Sequence, residues 1–296
     1  MKILLIGKTG MLGSCFFKML SSDEDFEMYA FGRKELDVTD EVALNKIFTD
    51  ISPDFVINCS AYTAVDDAES NSEEAFEVNY EAVKNLSVAC IRENAVLMHF
   101  STDYVFNGEK AAFAENDNTS PINIYGESKL AGETAIVESG VDYYIVRTSW
   151  LFGDGGKNFV DTMISLSENH KSLKIVSDQI GSPTYTHDLC LKVLEYFLHP
   201  FLSGIKKSHE HSISDSVNFH AKMPFGIYHI TNSETVSWSD FAREIFRLKD
   251  VDVNVVDISS DEFGRPAKRP HNSALLSTKF DFKMRSWKDA LKAYLK

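Results

Sequence analysis

The apolar positions open as a short continuous run, Lys2 to Ile6, followed by Gly7-Lys8-Thr9-Gly10-Met11-Leu12-Gly13 and then by an apolar-periodic segment from Cys15 to Leu20. A run of this length bounded by glycine predicts a buried strand, and the 3.6-residue period after it predicts a helix. The succession repeats. Strands are predicted at Glu27–Phe31, Asp54–Asn58, Leu97–Phe100 and Asp142–Arg147, with an acidic, polar-faced helical stretch from Val65 to Arg92 and a helix from Tyr125 to Ser139 between them. Such alternation means a parallel, doubly wound α/β sheet with helices on both faces. Beyond Trp150 the pattern loosens. Helices are predicted at Asn158–Glu168, Asp188–Leu198 and Ser237–Leu248, strands at Lys174–Val176, Gly226–Ile230 and Val251–Val256, and a long surface loop from Pro200 to Pro224.

The turn after the first strand carries the first chemistry. Glycines at 7, 10 and 13 match a dinucleotide-binding G-x-x-G-x-x-G turn: room for a tight bend, close backbone approach to pyrophosphate, and close packing of the following helix. Residues 1–150 are therefore expected to form an NAD(P)-binding Rossmann domain. Residues 151–296 are expected to form mainly a smaller α/β substrate-binding domain, with some segments returning to the first. The second strand runs into Gly32-Arg33-Lys34, where such folds read the adenosine ribose; bases there favour the 2′-phosphate of NADPH, with NADH kept as the alternative.

A second constellation lies near the middle of the chain. Tyr125 and Lys129 stand at i and i+4, so phenol and ammonium share one helix face about 6 Å apart at Cβ. A fixed cation beside a phenol favours phenolate and is expected to lower its pKa from about 10. Leu97-Met98-His99-Phe100 reads as a buried strand ending in Ser101-Thr102-Asp103-Tyr104. Ligands bind at the carboxyl ends of strands in open α/β sheets, so the two segments are expected to meet at one site.

Composition adds limits. With 44% hydrophobic and 25% charged residues the chain is an ordinary globular protein, and its net charge of −14 argues against a nucleic-acid groove or an anionic membrane surface. No apolar run approaches the ~18 residues of a membrane span, and Ile3 to Ile6 is too short for a secretory core, so a cytoplasmic location is expected. Cys15, Cys59, Cys90 and Cys190 form no C-x-x-C pair and are expected to be reduced. His209 and His211 are read as solvated loop histidines rather than metal ligands. The basic, proline-stiffened Gly264 to Ser273 loop could clamp a diphosphate through its arginines.

These blocks together resemble the dTDP-4-dehydrorhamnose reductase family of the extended short-chain dehydrogenase/reductases. The resemblance is carried by Gly7 to Gly13, NCSAYTAVDDAE from Asn58, STDYVFNG from Ser101, SPINIYGESKLAGE from Ser120, RTSWLFG from Arg147, DQIGSPTY from Asp178 and RPAKRPHNS from Arg265. It implies reduction of the 4-keto group of dTDP-4-dehydro-L-rhamnose by NADPH. It implies Tyr125 as proton donor, Lys129 as the residue that orients the cofactor and lowers the tyrosine pKa, and Thr102 as the group that polarises the carbonyl. Gly7, Thr9, Gly10, Met11, Leu12, Gly13, Arg33, Asp37, Val38, Ser60, Ala61 and Tyr62 would hold the cofactor. Asp103, Tyr104, Trp150, Arg265, Asn272 and Ser273 would line the substrate site. Some members of the family place a glutamate after the third glycine to bind Mg²⁺ at a dimer contact; Ser14-Cys15 stand there in this chain, and thiol is a poor ligand for that ion. Monomer and homodimer both remain open. So do two rival functions: reduction of another nucleotide-4-keto-6-deoxysugar, and a regulatory subunit resembling that of methionine adenosyltransferase.

Overall fold

The computed structural model describes residues 1–209 and 223–296. Strands β1 (Lys2–Ile6), β2 (Glu27–Phe31), β3 (Phe55–Asn58), β4 (Val96–Thr102) and β5 (Tyr143–Thr148) join an edge strand, Gly226–His229, in one six-stranded sheet. The order is Gly226–His229, β5, β4, β3, β1, β2, with every pair parallel. Strand periodicity sorts the side chains between two cores. Ile3, Leu5, Phe55, Ile57, Val96, Met98, Tyr144 and Val146 face one, with helix α1 (Met11–Leu20) and the helical segment beginning at Thr186. Leu4, Ile6, Val56, Leu97 and Ile145 face the other, with helix α2 (Glu41–Ile51) and helix Ala82–Glu93. Burial on both faces is why these strands read as continuous apolar runs.

Beyond Trp150 the chain divides. Helices Thr186–Val193 and His199–His209, joined by a widened π turn at Leu194–Leu198, belong to the first sheet: Leu189, Cys190, Val193, Phe197 and Leu202 lie in the β1/β4 core, and Gly226–His229 extends the sheet itself. A separate core gathers Phe152, Val160, Met163, Ile175, Phe241, Ile245, Phe246, Trp287 and Leu291, beside the parallel pair Ser172–Val176 and Asn254–Ile258.

Four local expectations change. The loop expected from Pro200 starts instead as helix, His199–His209, because the π turn before it lets the chain continue past a proline that lacks an N–H. The rest of that loop, His211 included, lies outside the described residues. Helix α1 begins at Met11 rather than Cys15, since Gly10 is its cap and Leu12, Phe16 and Leu20 bury one stripe from the first turn. Strand β4 extends to Thr102, so Ser101 and Thr102 are placed by sheet pairing with Arg147 and Thr148 rather than by a loop. The last predicted strand shifts to Asn254–Ile258. No helix among the described residues is long and apolar enough to cross a membrane.

Candidate active site

The glycine turn is built for close approach. Gly7 has φ +84°, and a Cβ there would lie 2.8 Å from the Cys59 and Ser60 backbone; a Cβ on Gly13 would fall 2.1 Å from the Gly7 carbonyl oxygen. Helix α1 can therefore start directly above the end of β1. Its cap, Gly10, makes no side-chain capping bond, whereas Asp40, Asn123, Asn158, Ser237 and Ser286 each cap their helices with one. An uncapped N-terminus of ten helical residues leaves donors and a partial positive charge facing the cavity.

Two cavities meet over this turn and share Gly10, Cys59, Ser60, Ala61 and Thr63. One, about 340 Å³, is lined by Gly7, Thr9, Arg33, Asp37, Val38 and Tyr62; the other, about 510 Å³, by Met11, Leu12, Ser101, Tyr125, Lys129 and Thr148. Of the expected cofactor residues only Gly13 lies behind the wall, where it sets the packing of α1. Arg33 is exposed at the open end, with Nη2 3.6 Å from Glu74. Asp37 is held below the usual carboxylate range by the backbone N–H and hydroxyl of Thr39. The groove fits a dinucleotide: a glycine-lined pyrophosphate seat, a base at one end, and at the other the buried hydroxyls of Ser101 and Thr148, which have no hydrogen-bond partner among the described residues.

At that inner end, helix Ile124–Ser139 presents Tyr125 and Lys129 one turn apart. Its start is fixed by Asn123 Oδ1, which accepts from the Gly126 N–H at 2.8 Å, while Asn123 Nδ2 donates to the Lys268 carbonyl. Gly126 admits Tyr104: a Cβ there would be 2.3 Å from the Tyr104 carbonyl oxygen. Lys129 is 1% exposed; its Nζ donates to the Phe100 carbonyl at 2.7 Å and lies 3.0 Å from His99 Nε2. Burial pulls its pKa down to about 8. Thr102 donates to Asp103 Oδ1 at 3.0 Å and accepts from the Tyr104 N–H. Burial lifts the Asp103 carboxyl to about 7, against the hydroxyls of Ser273 and Thr102, which favour its charged form.

The expected lowering of the Tyr125 pKa is corrected by the structure. Burial pushes the phenol up to about 12, a hydrogen bond with Thr102 opposes this, and Asp103 adds to it. Lys129 directs its Nζ to Phe100 and His99 instead. Spacing on the helix shows that the two side chains share a face, but their burial, a tertiary property, decides the sign.

The outer residues divide. Ser273, 2% exposed, reaches Asp103 and so joins the C-terminal loop to the end of β4. Asn272 is bound into the loop through Ala111 and Ala274. Arg265 converges with Arg269, the other arginine of that basic loop, on Asp66, a partner the sequence did not point to: Nη1 to Oδ2 at 3.0 Å and Nη1 to Oδ1 at 2.5 Å. Arg269 also bonds the Tyr104 hydroxyl, and the Tyr104 ring meets Tyr125 edge-on at 5.9 Å. Trp150 stacks on Trp238 at 3.5 Å and 5°, with Gly181 packed against its indole. Its φ of +47° is a strained conformation for so large a side chain. Ser14 donates to the Met11 carbonyl, and Cys15 lies against Cys190.

A doubly wound sheet with a glycine-turn groove ending at a Tyr–Lys pair defines a dinucleotide-dependent oxidoreductase of the short-chain dehydrogenase/reductase class. The chain belongs to the family described as RmlD substrate binding domain, whose model matches residues 1–296. It is 36% identical over 98% of its length to a dTDP-4-dehydrorhamnose reductase of Aggregatibacter actinomycetemcomitans, covering 97% of that protein. It is 35% identical over 99% of its length to the spore coat polysaccharide biosynthesis protein SpsK of Bacillus subtilis, covering 96% of it. Among solved structures, dTDP-4-dehydrorhamnose reductase from Bacillus anthracis in complex with NADP superposes with a TM-score of 0.86 at 36% identity, covering 99% of this chain and 98% of that one.

Proposed function

We propose that this protein reduces the 4-keto group of dTDP-4-dehydro-L-rhamnose to dTDP-L-rhamnose with NADPH. The observation that supports the reading is that Tyr125 and Lys129 line the inner end of the glycine-turn groove beside the unpartnered hydroxyls of Ser101 and Thr148, with Thr102 hydrogen-bonded to Tyr125 behind them. NADPH, when bound, supplies the hydride; Gly7, Thr9 to Leu12, Arg33, Asp37, Val38 and Ser60 to Tyr62 would hold it, with Gly13 setting the packing of α1 behind them. Tyr125, whose phenol stays protonated at neutral pH, is the proton donor to the nascent alkoxide. Lys129 orients the nicotinamide ribose, and Thr102 donates to the carbonyl oxygen where charge develops. Asp103, Tyr104, Ser273 and Arg265 would line the sugar and its diphosphate, with Trp150 and Asn272 shaping that wall.

The test is loss of NADPH absorbance with purified protein and enzymatically generated dTDP-4-dehydro-L-rhamnose. Turnover supports the reading. Tight NADPH binding without turnover would move the assignment to another nucleotide-linked ketosugar or to a regulatory subunit.

Arg33 gives a cofactor prediction. Arg33→Ala is expected to raise the Kd of NADPH about tenfold and leave that of NADH unchanged, since a charge-assisted phosphate contact contributes on the order of 1.5–3 kcal/mol, reduced at an exposed site. Equal effects in parallel fluorescence titrations would remove Arg33 from the 2′-phosphate.

Asp103 gives a pH prediction. Ionised, it accepts the Thr102 hydroxyl proton and so draws that donor away from the substrate carbonyl; protonated, it releases it. The carboxyl is raised to about 7, so the competent form exists below that pH and is lost as pH rises through it. We expect kcat/KM to fall across pH 7, and Asp103→Asn to flatten that limb. A limb at the same pH in the variant would assign it to another group.

A further inference from the structure

The buried chain Ser60–Asn58–His99–Lys129 can be read donor by donor. The Ser60 backbone N–H lies 3.0 Å from Asn58 Oδ1, and the Ser60 hydroxyl 2.6 Å from the same atom. A backbone N–H only donates, so the atom facing it is the amide oxygen, and Asn58 Nδ2 must face His99 Nδ1, 3.0 Å away. Nδ2 also only donates. His99 Nδ1 is therefore the acceptor, and the proton of the neutral imidazole sits on Nε2. Nε2 is 3.0 Å from Lys129 Nζ, and Nζ also gives a proton to the Phe100 carbonyl. An ammonium has no lone pair to accept Nε2–H. A neutral amine has one, and it satisfies both contacts.

We propose that His99 is a positioning residue that donates its Nε2–H to Lys129, stabilises the lysine as a neutral amine in the ligand-free protein, and thereby sets the pH at which it becomes charged. The inference rests on the reading that places Lys129 beside the cofactor only for its consequence in catalysis; the hydrogen-bond pattern stands without it. Other groups facing Lys129 act differently. Glu133 on the same helix favours the ammonium but is itself paired with Arg147, and the Cys59 thiol at the end of β3 is kept protonated by burial. Tyr125 on the same face remains a neutral phenol at physiological pH. His99 is held far below its ordinary value chiefly by burial, so it stays a neutral imidazole with a single ring N–H to give.

Nitrogen NMR of isotope-labelled, ligand-free protein tests this without turnover. We expect a neutral His99 protonated on Nε2, and a Lys129 Nζ resonance, identified by its loss in Lys129→Met, that titrates well below the ordinary lysine range of about 10.4. His99→Gln, whose side-chain oxygen can accept from an ammonium, is expected to raise that midpoint by about one to two pH units. A His99 protonated on Nδ1, a Lys129 that titrates as an ordinary lysine, or a folded His99→Gln variant with an unchanged midpoint would each overturn the proposal. The first two readouts use the parent protein, so they decide the matter even where the variant does not fold. Because no substrate is present, failure here leaves the reductase reading standing, and absence of ketosugar turnover leaves the titration result standing.

Discussion

Tyr125→Phe is expected to lower kcat by about 10²- to 10⁴-fold while NADPH binding stays within a few fold, because proton donation contributes on that order and the variant removes only the hydroxyl. The ring keeps its edge-on contact with Tyr104, so the groove wall is preserved. No neighbour replaces the lost proton. Lys129 is engaged by Phe100 and His99, and the Thr102 hydroxyl is committed to the carbonyl or to Asp103. The phenol, raised to about 12, is protonated throughout the neutral range, so this loss should be uniform from pH 6 to 8. Single-turnover kinetics at saturating NADPH measure it directly. A variant that turns over as fast as the parent would remove Tyr125 from the proton-donor role.

How much of this was legible in the sequence follows from how local each feature is. The glycine turn, the end of β4 and the Tyr125–Lys129 pair are each set by a few neighbouring residues, and regular strand–helix alternation tells where they lie relative to the sheet. Their meeting follows from the rule for strand ends in open α/β sheets. What stayed hidden depends on distant partners. Asp66 binds Arg269 from 203 positions away, His99 reaches Lys129 from 30, and Trp238 covers Trp150 from the helix Trp238–Lys249, far along the chain. Thr148 carried a faint signal, lying at the end of a predicted strand, but its register beside Thr102 is a property of sheet pairing. Burial accounts for the Tyr125 correction in the same way. A cation four residues off was visible; removal of the phenol from water was not.

The buried ion pair between Glu133 and Arg147 yields the largest expected effect on stability. Arg147 Nε donates to Glu133 Oε1 at 2.9 Å and its Nη2 to Oε2 at 2.6 Å, with each side chain 3% exposed. Arg147 also lies over the Phe106 ring, its guanidinium carbon 5.1 Å from the centroid, and approaches His229 Nε2 at 3.4 Å. The pair fastens the helix bearing Tyr125 and Lys129 to β5, whose last residue is Thr148. Arg147→Met leaves a carboxylate buried without its partner and is expected to cost about 3–5 kcal/mol, whereas Arg147→Met with Glu133→Leu should recover most of it, since replacing both charges by apolar groups is close to neutral. Urea unfolding at pH 8 checks both statements through the midpoint at constant slope. A single variant as stable as the parent at pH 8 would mean that water or His229 had taken over the carboxylate, and the helix carrying the site would then not depend on this pair for its position.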